Sequence, residues 1–399
     1  MSRSQGSVGT PGRAWRERGW ARRAGGVALG VLLLAACAPA AGAPPQPPNN
    51  GGSPNAPAAS TAGGSQSAPA ASDAGASRNA PAASVATAPT AAPAPYTVRW
   101  AAISANPNNF PAYTAQAKGF LAEQALDLDV TYTDSSPRAT QVLASRDIDV
   151  AAVATDTTIE AVERGTPFVM IGGSTRVPVY ALVARPEVRG YADLRGKLVA
   201  VTGPNLAEQP FVRKLLATKG LPESDYEQIA VGGPVQRYAA VQSGAVAAAM
   251  VLQPLDFRAQ DEGLSVLGYS TEVLPDYQFI GYTSHRAWTT ESRDVVVRLL
   301  QALRKADRWL YDAANGAEAG RVFQEATNSS EDYSRRTWEL LYRDLQVMGQ
   351  DSAVSLTGLQ AVLDLMAEGG SFTGPPPAPT KYYDASFVEE AARGEQGGR

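Results

Sequence analysis

Residues 145–156 read SRDIDVAAVATD, residues 243–254 read SGAVAAAMVLQP, and the two stretches match at a constant offset of 98 residues. Ser145 falls on Ser243, Ile148 on Val246 and Val153 on Val251. Each copy writes a helix end, a short turn, an apolar strand and a polar stop. A short, continuous run of small and β-branched residues is a strand covered on both faces. A chain that writes this unit twice, so far apart, predicts two similar lobes. Each lobe sends a helix back into a buried strand, and that strand stops at a shared cleft. Asp156 and Pro254 then face each other across the gap.

From Tyr96 onward the chain alternates strand and helix. YTVRWAAI (96–103) alternates apolar and polar, and in the stretch after it Tyr113, Ala117 and Phe120 or Leu121 recur at helical spacing, with Gly119 marking a helix end. LDLDVTYTD (126–134) is a second strand, and Ser135, Ser136 and Pro137 open a helix with a cap and a first-turn proline. FVMIGG and VYALVA are further strands; DLRGKLVAV starts a new unit whose strand ends at Thr202–Asn205. After His285 only helical faces remain: Val296, Leu299, Leu300 and Leu303, then Trp338, Leu341 and Leu345, then Leu359, Val362, Leu363 and Met366. The pattern predicts an α/β protein, each lobe a mainly parallel sheet flanked by helices, with the C-terminal helices on lobe one. Ligands in such sheets bind outside the carboxyl ends of the strands. Here those ends, 104–110, 134–136 and 155–157, are rich in small polar side chains.

Not all 399 residues can join a core. Residues 1–37 carry a basic stretch (Arg13, Arg16, Arg18, Arg22, Arg23), a short apolar run from Val27 to Leu34, and then Ala35-Ala36-Cys37, the layout of an export signal. LAAC resembles the lipobox of bacterial lipoproteins, which implies lipidation of Cys37 and anchoring at the outer face of the cytoplasmic membrane. Cys37 is the sole cysteine, so no disulfide framework and no cysteine metal site is available. Residues 38–95 are almost wholly Ala, Pro, Ser, Gly, Thr and Asn, with nothing large and apolar to bury. Such a segment cannot offset its ordering entropy and reads as a disordered tether spanning on the order of 40 Å. Net charge is −4 with no basic stripe in the folded part, which argues against nucleic acid.

FPAYTAQAKGFLAEQALDLDV, SRDIDVAAVA, DLRGKLVAV, VQSGAVAAAMVLQP and YYDASFVEEA, in that order, resemble the solute-binding subunits of ABC importers. The branch is the one that includes taurine, alkanesulfonate, nitrate and thiamine-pyrimidine-precursor binders. The resemblance runs from Tyr96 to about Gly394 and departs from the family at two places. Arg146 stands where the family usually has glycine, and Ala247 where the second copy usually has an acid. It implies a two-lobed periplasmic-binding fold of the second type, lobe one from 96–183 and 285–399 and lobe two from 184–284. Crossovers near Ala184 and Ile280 form the hinge, and closure buries a solute for a membrane permease. It also implies a monomer with neither cofactor nor metal.

On that frame, lobe one offers Asn108, Phe110 and Tyr113 after the first strand, and Ser135, Ser136 and Arg138 at a helix start that suits an anion. Thr155, Asp156 and Thr157 end its third strand. Lobe two offers Gly203, Asn205 and Gln209 where strand meets helix, Arg237 at the head of the next helix, and Gln253 and Pro254 after its strand; Tyr282 lies beside the hinge. Several have plainer readings: Phe110 and Tyr113 as core, the serines, Asp156 and Asn205 as helix caps. The arginines favour a small organic anion, a sulfonate or taurine; Asp134 and Asp156 argue the other way, toward a neutral heteroaromatic such as the pyrimidine precursor. An enzyme on the same fold is the rival class, but His285 is the only histidine and no catalytic or metal set can be assembled with it. A sensing adaptor would share every residue above. Asn328–Ser330 matches a glycosylation acceptor pattern and reads as a surface loop.

Overall fold

The computed structural model describes residues 93–203, 208–274 and 276–397. The expected export signal, Cys37 and the expected tether up to residue 92 lie outside the described residues, as does Asn205. Among the described residues no helix is long and apolar enough to cross a membrane.

Lobe one begins with β1 (Tyr96–Ile103), α1 (Phe110–Ala117), α2 (Phe120–Glu123), β2 (Leu126–Thr133), α3 (Ser136–Ala144), β3 (Val150–Ala154), α4 (Thr155–Glu163) and β4 (Phe168–Gly173). Lobe two comes next as β5 (Ala181–Ala184), β6 (Leu198–Val201), α5 (Glu208–Thr218), β7 (Glu227–Ala230), α6 (Pro234–Gln242), β8 (Ala248–Val251), α7 (Leu255–Asp261) and β9 (Ser265–Tyr269). The chain then returns through β10 (Ile280–His285) to the helices α8 (Arg286–Glu291), α9 (Arg293–Tyr311), α10 (Gly316–Thr327), α11 (Glu331–Trp338), α12 (Leu356–Glu368) and α13 (Ser386–Gly397).

The two sheets have the same plan, β2-β1-β3-β10-β4 and β7-β6-β8-β5-β9. In each, the first three strands are parallel and the fourth is antiparallel to both its neighbours. The antiparallel strand is always the one that has just crossed from the other lobe. The sheets are therefore mixed: a strand that enters from the hinge runs against the strands that end there. The crossings span residues 174–180 and 270–279, so β5 belongs wholly to lobe two and β10 to lobe one. Sequence places both boundaries a few residues later, because an apolar run buried on both faces fits the end of one sheet as well as the start of the next.

The repeat resolves into α3–β3 and α6–β8, both pairs 98 residues apart. The apolar face of α9 (Val296, Leu299, Leu300, Leu303) is fully buried, each such side chain contributing ~1.5–3 kcal/mol. The next face breaks: Trp338 and Leu341 are buried but Leu345 is exposed. Residues 339–344 wind as a π-helix, which turns Leu345 out of the helical register set by Trp338 and Leu341.

Arg146 departs from the family's glycine, yet its backbone keeps glycine's conformation, with φ at 64°. Gly244, 98 residues on, has φ at 78°. The turn into the buried strand needs a left-handed residue in both lobes, and a side chain there costs about 1 kcal/mol. Arg99 holds the turn, donating from Nη1 to the Arg146 carbonyl at 2.9 Å and from Nη2 to Asp149 Oδ1 at 2.5 Å. Arg146→Gly is therefore expected to raise the unfolding free energy by roughly 0.5–1 kcal/mol in chemical denaturation; a loss of stability would contradict this account of the turn.

Candidate functional site

Four strands point their carboxyl ends at one place. β1 ends at Ile103 and β3 at Ala154 in lobe one; β6 runs out into Thr202 and β8 into Leu252 in lobe two. These residues line a narrow cavity of about 40 Å³ between the lobes. Lobe one adds Asn106, Asn108, Ser135, Ser136, Asp156 and Thr157; lobe two adds Glu208, Gly233 and Pro234; the crossings add Tyr180 and Phe279.

The two repeated helices, α3 and α6, both start at this cavity. Neither has its first turn closed by its own N-cap side chain: Ser135 turns its hydroxyl to Asp134 Oδ1 at 2.9 Å, and the cap of α6 is Gly233. First-turn N–H groups and the positive end of each helix dipole are thus presented from both lobes.

Two buried carboxylates stand among them. Asp156 accepts from the Thr157 amide at 2.7 Å, but burial, helped by the nearby Glu208 charge, pushes its carboxyl up to about 7. Glu208 accepts from Tyr180 OH at 2.7 Å and pairs with Arg237 at 3.3 Å. Arg237 is fully buried and spends its other donors on Met250 O at 2.8 Å, Gly232 O at 2.7 Å and the Thr202 hydroxyl. Removing it would strand Glu208 as an unpaired buried charge, a loss of about 3–5 kcal/mol.

The expected site residues divide. Asn108, Ser135, Ser136, Asp156 and Thr157 line the cavity. Ser136 also accepts from the Ala154 amide at 3.1 Å, tying α3 to β3. Arg237 does not line it but orients Glu208 and Thr202 behind the wall. Arg138 is exposed and donates to Gln141 on its own helix at 3.3 Å, so it does not serve the cavity. Phe110 and Tyr113 belong to a hydrophobic cluster with Leu310, Phe323 and Trp338; Phe110 sits 4.9 Å from the Phe323 ring. Tyr282 packs edge-on against Trp100 inside lobe one. Thr155 bonds to the Gln278 carbonyl at 2.5 Å and fastens β3 to a crossing instead of facing the solute space. Gly203 is buried and Gln209 half-buried on α5, both off the cavity wall. Gln253 and Pro254 line a second, outer cavity, so Pro254 does not face Asp156. Sequence reading named the loops that hold Asn106 and Thr202 without singling those residues out, and it missed Tyr180, Glu208, Gly233 and Phe279. The offset of 98 could have found Gly233, which falls on Ser135.

The lobes touch around the cavity. Tyr333 OH on α11 donates to Asp261 Oδ2 on α7 at 2.7 Å, and the Arg336 guanidinium lies 4.1 Å over the Phe257 ring. Gly233 lies so close to the Asp134 carbonyl that a Cβ there would overlap the oxygen.

The NMT1/THI5-like family model matches residues 106–317. The chain belongs to that family. A curated relative, YtlA of Bacillus subtilis (strain 168), carries the provisional name of a binding protein; it is 24% identical over 208 residues, which span 50% of this chain and 62% of that protein. Solved structures with the same fold include the alkanesulfonate-binding protein SsuA from Xanthomonas axonopodis pv. citri bound to MOPS. It has a TM-score of 0.60 and 17% identity, covering 73% of this chain and 100% of that one. The periplasmic nitrate-binding protein NrtA from Synechocystis PCC 6803 gives 0.62 and 19%, covering 76% and 90%. These likenesses establish a periplasmic-binding fold, in which two sheets flank a cleft.

Gly233 has φ at −69°, a conformation any residue adopts, so its smallness serves only the close approach of lobe one. Gly233→Ala is expected to leave the melting temperature within about 2 °C of the parent while holding the lobes apart. Small-angle X-ray scattering would then show a larger radius of gyration; an unchanged radius would contradict the contact's role.

Proposed function

We propose that this chain is the exported solute-binding subunit of an ABC importer, tethered by a lipid on Cys37 at the outer face of the cytoplasmic membrane. Its solute is a small zwitterion, an aminosulfonate or similar molecule, delivered by the closed form to a permease. One observation carries this reading: two helix N-termini and two buried carboxylates converge on the same cavity. The helix ends favour an anionic group. Asp156 stands ready for an ammonium, since Glu208 is already paired with Arg237.

A plain anion fits less well. Neither Arg138 nor Arg237 reaches the solute space, and a lone sulfonate or nitrate would sit near Asp156 with no positive group to offer it. A zwitterion satisfies both walls. It also bridges the lobes, because α3 and Asp156 belong to one and α6 to the other. Binding that contacts both lobes favours the closed arrangement by differential affinity, the condition for signalling to a permease.

The second reading, a neutral aminopyrimidine-like heteroaromatic, is favoured by Tyr180 and Phe279, whose rings lie 5.5 Å apart at the hinge side of the cavity. Binding rather than catalysis is supported by the placing of His285. It caps α8, its Nδ1 accepting from the Ala287 amide at 3.2 Å, and does not line the cavity. Among the described residues no cluster of His, Cys, Asp and Glu could hold a metal ion.

The test is a thermal-shift series on the full chain with 2-aminoethanesulfonate, ethanesulfonate, nitrate, ethylammonium and 4-aminopyrimidine. The aminosulfonate is expected to raise the melting temperature with concentration and the single-charge probes to do so far less. Asp156 must be ionised to hold an ammonium, and burial keeps it protonated below about pH 7. Affinity should therefore weaken by up to about tenfold per pH unit below that point and level off above it. Asp156→Asn should flatten the profile. An ethanesulfonate shift as large as that of the aminosulfonate would return the solute to simple anions, and a response to 4-aminopyrimidine alone would select the second reading.

A further inference from the structure

We propose that α7 of lobe two and α11 of lobe one form a latch, in which the Arg336 guanidinium stacks on the Phe257 ring and favours the closed arrangement whatever the solute. The proposal rests on the clamp reading given above and adds to it what sets the closed population before any solute arrives. Phe257 is the first observation. It lies on α7, is 6% exposed, and joins none of the hydrophobic clusters found among the described residues. Lobe one supplies cover for it: Arg336 lies 4.1 Å over the ring, and the Tyr333 ring is 6.4 Å away, tilted by 35°. Opening the clamp would return this side chain to water, at the cost of burying it.

Asp256 is the second observation. It is fully buried beside Phe257, and among the described residues its partners are neutral: Gln253 Nε2 at 3.0 Å, the Phe257 amide at 2.8 Å and the Tyr269 hydroxyl at 3.1 Å. All three belong to lobe two. Burial pushes the Asp256 carboxyl up; those hydrogen bonds, and then the positive charge of Arg336, draw it back. A cation that acts on this lobe-two carboxylate is thus carried by lobe one.

Bonds at the rim complete the contact. Arg336 Nη2 donates to Gln260 Oε1 on α7 at 3.2 Å, beside the bond from Tyr333 to Asp261. Asp332, one turn back on α11, lies 3.5 Å from Arg336 Nη1 and holds the guanidinium in place. Stacking of a guanidinium on an aromatic face shifts an equilibrium by about two- to thirtyfold, more than an exposed ion pair does. Neither Phe257 nor Arg336 lines the inner or the outer cavity. The latch therefore does not read the solute, and raising the closed fraction tightens every solute by the same factor.

The experiment is hydroxyl-radical footprinting of the full chain without solute, read residue by residue by mass spectrometry. Tyr180 and Phe279, each 3% exposed on the inner cavity wall, report opening; Phe168 and Phe323, buried in lobe one, report the fold. In Arg336→Ala the oxidation rates of Tyr180 and Phe279 are expected to rise about threefold or more, while those of Phe168 and Phe323 stay as in the parent. Arg336→Lys keeps the charge without the flat guanidinium and should fall between. Arg335→Ala should match the parent, because Arg335 bonds to Asp332 and Glu339 on its own side of the cleft. In a Phe257→Leu background, Arg336→Ala should add little. Unchanged Tyr180 and Phe279 in Arg336→Ala overturn the latch, and so does a full second rise in the Phe257→Leu background. If all four residues react faster in Arg336→Ala, that variant has unfolded and Arg336→Lys decides: a rise at Tyr180 and Phe279 alone supports the latch, and no rise overturns it. Gly233→Ala separates the latch from the clamp reading. If it exposes Tyr180 and Phe279 and Arg336→Ala does not, the latch fails and the clamp stands; if neither variant exposes them, both fail.

Discussion

The two crossing segments bond to each other, and the rest of the molecule is arranged around that pairing. The amides of Phe279 and Ile280 both donate to the Thr175 carbonyl at 3.0 Å, and the Ser270 amide donates to Tyr180 O at 2.9 Å. Ser270 adds a second link, its hydroxyl donating to Pro178 O at 2.6 Å and accepting from the Tyr180 amide at 2.9 Å. A pair of segments so joined can twist as a unit while each sheet keeps its own register. Each crossing strand then enters the opposite sheet antiparallel to its neighbours, which is why both sheets share one plan. On the clamp reading proposed above, the hinge is a consequence of the strand exchange and needs no special flexible residue.

The proposed hinge sets what the cavity can be. Whatever closes it must be touched from both sides, and the repeated unit supplies matching touchpoints: α3 from one lobe and α6 from the other. The residues at the ends of the two repeated strands then make the chemistry unequal. Asp156 comes after β3 and no acid comes directly after β8, where Gln253 and Pro254 stand instead. Lobe two gains its carboxylate from elsewhere, Glu208 at the start of α5, and holds it with the buried guanidinium of Arg237. Duplicate geometry with unlike chemistry suits a solute with unlike ends.

The fold was legible because its signals are local or periodic. The offset of 98 marked the two lobes, and the three helical faces after His285 marked the C-terminal layer. The glycine pattern showed that the turn at Arg146 was unusual, though only the backbone shows that the arginine takes the glycine conformation. The site was less legible. Glu208 lies in the first turn of a helix, where an acid is ordinary, and its importance comes from Arg237, which is far away in sequence. Arg138 and Arg237 look alike in sequence as first-turn arginines; burial alone separates the solvated one from the one locked behind the wall. Phe110 and Tyr113 come after a strand end, where aromatic residues can face either a solute or a core, and the packing of α10 and α11 decides for the core. Gly233 gave no signal of its own, since a glycine pair before a proline reads as a turn; the contact with Asp134 is a fact of how the lobes meet.

The most direct measurement is the distance between spin labels on Gln141→Cys and Gln242→Cys, exposed positions near the ends of α3 and α6 in the two lobes, read by pulsed electron resonance. A hinged clamp gives a broad distribution without solute that collapses to one shorter distance as solute saturates. A single narrow distance, the same with and without solute, would show one rigid body and contradict the account.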